Sequence, residues 1–147
     1  MTPPHLDEHT ILIDAAPEAV WAALGDALDR TFSGTVAENY ARLVGCPDHA
    51  ASGPRPLSEG STIAGFRVTA TAPPAELVLE GRHRFSTYAL IFRVDRVGPN
   101  RSRLRAESRA AFPGVAGRLY RALVVGTGGH VFGVRRLLSG VARAAAR

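Results

Sequence analysis

The sequence predicts an α+β protein: a curved antiparallel β-sheet wrapped around a long C-terminal α-helix, with short helices after the first strand. Three observations carry this reading. Between Ser61 and Phe112, apolar residues recur at every second position in stretches separated by short turns, the signature of half-buried strands. From Leu119 to Val141 the spacing changes, and one apolar stripe runs at helical period. Near the start, a short β-branched segment leads straight into a helix opened by proline.

Residues 1–8 read as a loose arm, and His9–Ile13 is short and β-branched enough for a first strand. In DAAPEAVWAAL, Pro17 suits the first helical turn because it needs no amide donor there, and Glu18 favours the positive end of the helix dipole. Val20, Trp21 and Leu24 then place a helix from Pro17 to about Leu28. A second short helix is expected over Val36–Val44, with Tyr40, Leu43 and Val44 packing inward. From Gly45 to Gly60 the chain is rich in Pro, Ser, Gly and Ala, a loop long enough to rim a pocket entrance.

The sheet follows. Thr62, Ala64, Phe66, Val68 and Ala70 share one parity, and Pro73-Pro74 turns the chain. Ala75, Leu77 and Leu79 alternate with Glu76 and Glu80, and Gly81 loosens the next corner. Arg82–Val97 is expected as one longer strand, ended by Gly98-Pro99-Asn100. Leu104, Ala106, Ser108, Ala110 and Phe112 alternate with Arg103, Arg105, Glu107 and Arg109. The product is a meander with one dry face and one wet face. Pro113-Gly114 ends it, and helix is expected from there to the C-terminus. Leu119, Leu123, Gly126, His130, Val134, Leu137 and Val141 form its inward stripe.

Composition narrows the function classes. With 147 residues the chain is the size of one domain, expected to span 1–147. No apolar run approaches the roughly 20 residues of a membrane span, and the start lacks the basic and apolar regions of a signal peptide. The single cysteine, Cys46, has no internal disulfide partner, so a reducing cytoplasm is the expected location. All 18 basic residues are arginine, the usage expected of a GC-rich genome. This excludes lysine Schiff-base chemistry and a phosphate-binding-loop lysine. Residues 1–80 hold 4 arginines against 11 carboxylates, while residues 81–147 hold 14 against 2. Either the two halves neutralise each other in the fold, or the basic half meets an acidic partner.

The order of elements is that of a helix-grip domain, and one motif makes the likeness specific. TILIDAAPEAVWAALGD resembles the opening of the polyketide cyclase, lipid-transport and START-like (SRPBCC) superfamily, where a strand runs into "DA-small-Pro-Glu-x-Val-Trp". GFRV, GRHRFSTYALIFRV and FPGVAGRLYRALVVGTGGH are similar to an uncharacterised bacterial subgroup of it. The resemblance implies a pocket between sheet and C-terminal helix, holding a small hydrophobic or amphipathic molecule. It also spans cyclases and dehydratases that use the same pocket for chemistry.

Within such a pocket, His130 stands where the helix stripe calls for an apolar residue. It is either a hydrogen-bonded core histidine or a polar anchor tuned by burial. Gly126, Gly128, Gly129 and Gly133 surround it, each costing about 1 kcal/mol relative to alanine in a helix. A kink, room for a ligand, or close approach to the sheet would each account for them. On the long strand, Arg84, Ser86 and Tyr88 share the parity of Leu90, Phe92 and Val94 unless a bulge near Ser86 turns Arg84 to solvent. The expected ligand-binding set is therefore His130, Tyr88, Arg84 and Gly126 with Phe66 and Phe92, though the large rings could equally fill the pocket. In a cyclase-like reaction, Arg84 or Tyr88 would polarise a ketone oxygen while His130 moves a proton.

No metal or other cofactor is expected, because the five histidines show no i, i+4 pairing and there is one cysteine. The glycine-rich Gly126–Gly129 stretch follows helix rather than strand, against a dinucleotide fingerprint. Tyr120 reads as a packing residue. An arginine-rich surface, built from Arg103, Arg105, Arg109, Arg135, Arg136, Arg143 and Arg147, is the alternative basis of function. Aromatics interleave poorly with those arginines, so nucleic acid is not the expected partner. The chain is expected to act as a monomer or homodimer.

Overall fold

A computed structural model describes residues 3–126 and 128–146. Met1 and Thr2 of the expected arm, Thr127 of the glycine stretch and Arg147 of the basic field lie outside the described residues. Strand β1 (His5–Ile13) leads into helices α1 (Pro17–Thr31) and α2 (Thr35–Leu43). Strands β2 (Thr62–Ile63), β3 (Phe66–Ala72), β4 (Glu76–His83), β5 (Ser86–Gly98) and β6 (Arg101–Ala111) follow, and then helices α3 (Gly114–Val124) and α4 (Gly129–Ala145). The strands form one antiparallel sheet in the order β1-β6-β5-β4-β3-β2.

Alternation decides which face is buried. Leu77 and Leu79 of β4, Leu90, Phe92 and Val94 of β5, and Leu104 and Ala106 of β6 lie on one side. They pack against Val20, Leu24 and Leu28 of α1 and Val134, Leu137, Leu138 and Val141 of α4. Phe92 and Leu104 are completely inaccessible. α1 opens as expected, with Pro17 in its first turn and Glu18 near its N-terminus, but it continues to Thr31. The chain stops being helical only before Gly34, whose φ of 97° suits a residue without a side chain. Ser102 Oγ, fully buried, donates to the Ala15 carbonyl at 2.7 Å and ties β6 to the start of α1.

Several boundaries differ from the sequence reading, each for a local reason. The expected arm is strand from His5 onward, and the Ala110 amide donates to the Pro4 carbonyl at 3.0 Å. In α2, Leu43 faces outward, Tyr40 is half exposed beside helix α3 rather than in the core, and the inward row is Ala37, Ala41 and Val44, small enough to let the helix sit close to Cys46 and Phe85. The stretch from Thr62 to Ala72 is a tight hairpin rather than one strand. Ile63 pairs with Phe66 across Ala64-Gly65, and Gly65 takes a φ of 89°. Arg82–Val97 is likewise folded back on itself, because His83 pairs with Ser86 across a two-residue turn at Arg84-Phe85.

The C-terminal segment is two helices. α3 ends at Val124, and α4 begins after Gly128, which adopts a φ of 80°. A Cβ on Gly126 would lie 2.5 Å from the Ala122 carbonyl oxygen, so a larger residue would not fit this break. Among the described residues, no helix is long and apolar enough to cross a membrane.

The charge asymmetry is resolved in part within the fold, where Arg93, Arg96, Arg101 and Arg105 of the basic half reach Glu76, Glu18, Asp14 and Glu8 of the acidic half at 3.4–3.6 Å. Arg105 bonds Asp95 at 2.8 Å, Arg93 and Arg109 both reach Glu107, and Arg67 and Arg55 pair with Asp48 and Asp29. Two members of the expected arginine row on β6, Arg105 and Arg109, are thus engaged by carboxylates of their own chain. Arg55 also donates to the backbone carbonyls of Ser52, Pro54 and Thr62, which pins the 45–60 loop to α1 and β2.

Candidate functional site

A cavity of about 700 Å³ lies between the sheet, α2, α3 and the first turns of α4. The strands place Phe66, Ser86, Tyr88, Leu90 and Ser108 on its floor, and the helices place Tyr40, Tyr120, Val124, His130 and Gly133 on its walls. Of the residues expected to bind a ligand, His130, Tyr88 and Phe66 line this space. Three do not. Arg84 sits exposed on the tip of the β4–β5 hairpin, where the turn has carried it out of the strand parity. Phe92 is sealed in the core beneath. Gly126 belongs to the break between α3 and α4, whereas Gly129 and Gly133 border the cavity.

Tyr88 reaches the cavity floor because its parity on β5 matches Leu90 and Phe92. Its ring needs a gap opposite, which Gly81 supplies. A Cβ on Gly81 would run into the Gly65 carbonyl and lie 2.6 Å from the Tyr88 ring. The Tyr88 hydroxyl donates to the Gly65 carbonyl at 2.6 Å. With its one proton committed, it accepts from the Cys46 thiol at 3.5 Å. Burial, followed by the Cys46 contact, pushes the Tyr88 phenol well above its ordinary value. Burial likewise raises the Cys46 thiol. Tyr88 is therefore a neutral, internally satisfied wall residue with no spare donor for a ligand ketone.

A spare donor exists elsewhere. Tyr40 of α2 and Tyr120 of α3 meet hydroxyl to hydroxyl at 2.6 Å. One proton makes that bond, which leaves the second hydroxyl hydrogen available to a guest. Burial and the Tyr40 bond raise the Tyr120 phenol above its ordinary range. Beneath Tyr120 lies His83, its ring centroid 4.8 Å from that of Tyr120 and 5.4 Å from that of Tyr88. The Phe85 amide donates to His83 Nδ1 at 3.1 Å, so the neutral ring carries its hydrogen on Nε2. Burial lowers the His83 pKa and favours that neutral form. Edge-to-face contacts extend the ring array from Tyr88 through Phe66 to Phe32.

At the α4 end, His130 Nε2 lies 3.4 Å from Asp7 Oδ1, and His9 Nε2 lies 3.3 Å from Asp7 Oδ2. β1 and α4 are thus joined by an imidazole–carboxylate–imidazole bridge at the cavity's edge. Ser108, opposite Asp7 in the β1–β6 register, is 3% exposed, lines the cavity, and has no hydrogen-bond partner for its hydroxyl. A buried unpaired hydroxyl costs free energy unless something bonds to it. Among the described residues, no group of three or more His, Cys, Asp or Glu side chains is placed to hold a metal ion.

Sequence reasoning grouped His83 with Arg82, Arg84, Ser86 and Tyr88 as candidates, but missed Tyr40, Tyr120, Cys46 and Ser108 as site residues. Ser108 was legible from parity alone, since it shares the face of Ala106 and Ala110 and alternates with Glu107 and Arg109. The two tyrosines, separated by 80 positions, meet only through the packing of α2 beside α3.

No protein-family model matches the chain, and no curated protein matches it by sequence. Solved structures do match in three dimensions. A conserved protein from Geobacillus kaustophilus superposes with a TM-score of 0.58 at 13% identity, over 95% of this chain and 93% of that one. A START superfamily protein from Mycobacterium smegmatis gives 0.56 at 16% identity, over 95% and 97% of the two chains. A norcoclaurine synthase point mutant from Thalictrum, bound to a transition-state analogue, gives 0.57 at 8% identity, over 99% and 96%. At such identities the likeness carries architecture rather than activity. With the six-stranded antiparallel sheet, the intervening short helices and the closing C-terminal helix in that order, this chain has a START-like helix-grip fold.

Proposed function

We propose that the protein binds a small, uncharged hydrophobic or amphipathic molecule in the cavity between the sheet and helices α2, α3 and α4. The observation that carries this is the chemistry of the walls. The space, about 700 Å³, falls within the range of small-molecule sites, and its surface is mostly apolar with a few convergent polar groups. Those groups are neutral donors: the Tyr40–Tyr120 hydroxyl pair, His83 Nε2–H and the unpaired Ser108 hydroxyl. Among the described residues, the one arginine on the wall, Arg109, is already held by Glu107 at 2.9 Å. A charged guest would meet no free counter-charge there and would lose its hydration. A ring-bearing guest with a carbonyl or hydroxyl at each end would meet edge-on aromatic contacts and hydrogen bonds at both ends.

Native mass spectrometry of the freshly purified protein, compared with its denatured mass, tests the reading. A retained molecule of low polarity is the expected result. A bare polypeptide mass, together with no saturable uptake of the neutral probe N-phenyl-1-naphthylamine, would refute it.

One observation favours chemistry in the same cavity. His130 is oriented by Asp7, the arrangement in which a carboxylate fixes the ring that moves a proton. On that reading a co-purified molecule would be converted by the native chain and left intact by His130→Ala, with binding only weakened. Equal conversion by both chains would remove this role.

A further inference from the structure

Helix α3 is turned the wrong way round for a surface helix. Its apolar residues Val115, Leu119 and Leu123, one turn apart, are 68%, 69% and 67% exposed. The face that meets the protein carries Gly117, Tyr120 and Val124 instead. Gly117 fixes that rotation. A Cβ there would lie 2.7 Å from the Phe112 carbonyl carbon and 3.0 Å from the Phe85 carbonyl oxygen, so only a glycine edge fits against the end of the sheet. The opposite edge of a helix set this way is the Val115–Leu119 row. The exposed apolar row is therefore a consequence of how α3 docks, and no polar residue on that edge offsets it.

The charge around this row is of one sign. Residues 108–147 contain seven arginines and no aspartate or glutamate. Elsewhere the arginines are mostly engaged by carboxylates, but no ion pair among the described residues involves Arg118, Arg121, Arg135, Arg136 or Arg143. Arg118 borders the apolar row on α3, and Arg121, one turn further along on the side toward Gly117, lies over the Phe112 ring at 6.0 Å. On α4, Phe132 is 66% exposed with Arg136 one turn further along.

An apolar edge bordered by arginines and free of carboxylates is complementary to an apolar layer beneath an anionic one. A nucleic-acid backbone would use the arginines and waste the row of Val and Leu. We propose that the outer edge of α3, with Phe132 at the head of α4, docks on an anionic lipid bilayer. The arginines meet the headgroups, and Val115, Leu119 and Phe132 enter the acyl boundary. Tyr120 and Val124, on the other side of the same helix, line the cavity. Docking therefore brings a cavity wall to the membrane surface. The proposal rests on the outer edge alone and stands whether or not the cavity holds a guest.

Co-sedimentation of the full chain with vesicles tests it, using phosphatidylcholine alone and phosphatidylcholine mixed with phosphatidylglycerol. Binding is expected to the mixed vesicles only, and to fall as salt rises. Leu119→Glu and Val115→Asp, both at exposed positions, should keep the native melting profile and together lower partitioning at least tenfold. Arg118→Gln should lower it roughly fivefold, the share of one basic residue near an anionic surface. Absence of binding to mixed vesicles, or binding untouched by the Leu119 and Val115 changes, would overturn the proposal. Tight binding to duplex DNA that survives those changes but not Arg118→Gln would also overturn it, as would a dimer dissolved by Leu119→Glu without any vesicle binding.

Discussion

Gly133 offers a perturbation whose two consequences have opposite signs. It lies inside α4, borders the cavity, and a Cβ built on it meets no heavy atom within 4 Å. Gly133→Leu therefore starts its side chain into open space, with the new Cβ clear of every other heavy atom. In the helix interior the exchange removes glycine's backbone entropy, a gain of about 0.8 kcal/mol. For a domain of this length that corresponds to a rise in melting temperature of roughly 2–3 °C. The same side chain grows along the wall of the proposed binding space, so affinity for a guest should fall at least about tenfold, or ~1.4 kcal/mol. Differential scanning calorimetry reads the first effect, and titration with N-phenyl-1-naphthylamine reads the second. A more stable protein that binds the probe as tightly as before would refute the assignment of this space. A less stable protein would refute the claim that the space beside Gly133 is open.

Three further outcomes follow from the same geometry. Gly81→Ala places a methyl against the Gly65 carbonyl and the Tyr88 ring, and should destabilise by about 1–3 kcal/mol, read as a lower urea midpoint. Tyr88→Phe removes the donor to the Gly65 carbonyl and the acceptor of the Cys46 thiol. Its cost should be about 1–3 kcal/mol in the same assay, and a loss below about 0.5 kcal/mol would mean the hydroxyl is not bonded as described. His83 gives a pH signature. Burial holds its folded pKa below the ordinary 6.5, so the unfolded chain takes up the proton more readily. Its contribution to stability is whole above about pH 6.5 and is lost as the pH falls through the folded value. Thermal melts of His83→Asn should therefore fall less steeply than those of the native chain on acidification from about pH 7 to about pH 5, and parallel curves would contradict the burial of the ring.

The parts of the fold legible in the sequence were those set by periodicity. Parity placed Leu77, Leu79, Leu90, Phe92, Val94, Leu104 and Ala106 on one face, and all seven are buried there. The helical stripe was right for Val134, Leu137 and Val141. What stayed hidden was set by turns without turn residues. Arg84-Phe85 reverses the chain with no glycine, asparagine or proline, so the corner was set at Gly81 instead and Arg84 was left as either an inward strand residue or one turned to solvent by a bulge. The site divided in the same way. Tyr88, Phe66 and His130 follow from parity or stripe, whereas the approach of Tyr40 to Tyr120 and of His83 to Tyr120 depends on tertiary packing.

The break between α3 and α4 connects these observations. Extended as one straight helix, the stripe would carry Leu119 and Leu123 toward the sheet in line with His130 and Val134, and their side chains would occupy the space that is now open. Gly126 and Gly128 interrupt the helix, and each half then takes its own rotation. α4 keeps its leucines and valines on the core. α3 is held by Gly117 against the end of the sheet, turning Tyr120 inward and Leu119 outward. The same rotation therefore opens the cavity, supplies one of its hydroxyls and leaves an apolar edge on the surface. The glycines, for which the sequence offered a kink, room for a ligand or close approach to the sheet, break the helix and so divide a core stripe between an interior wall and an exterior face.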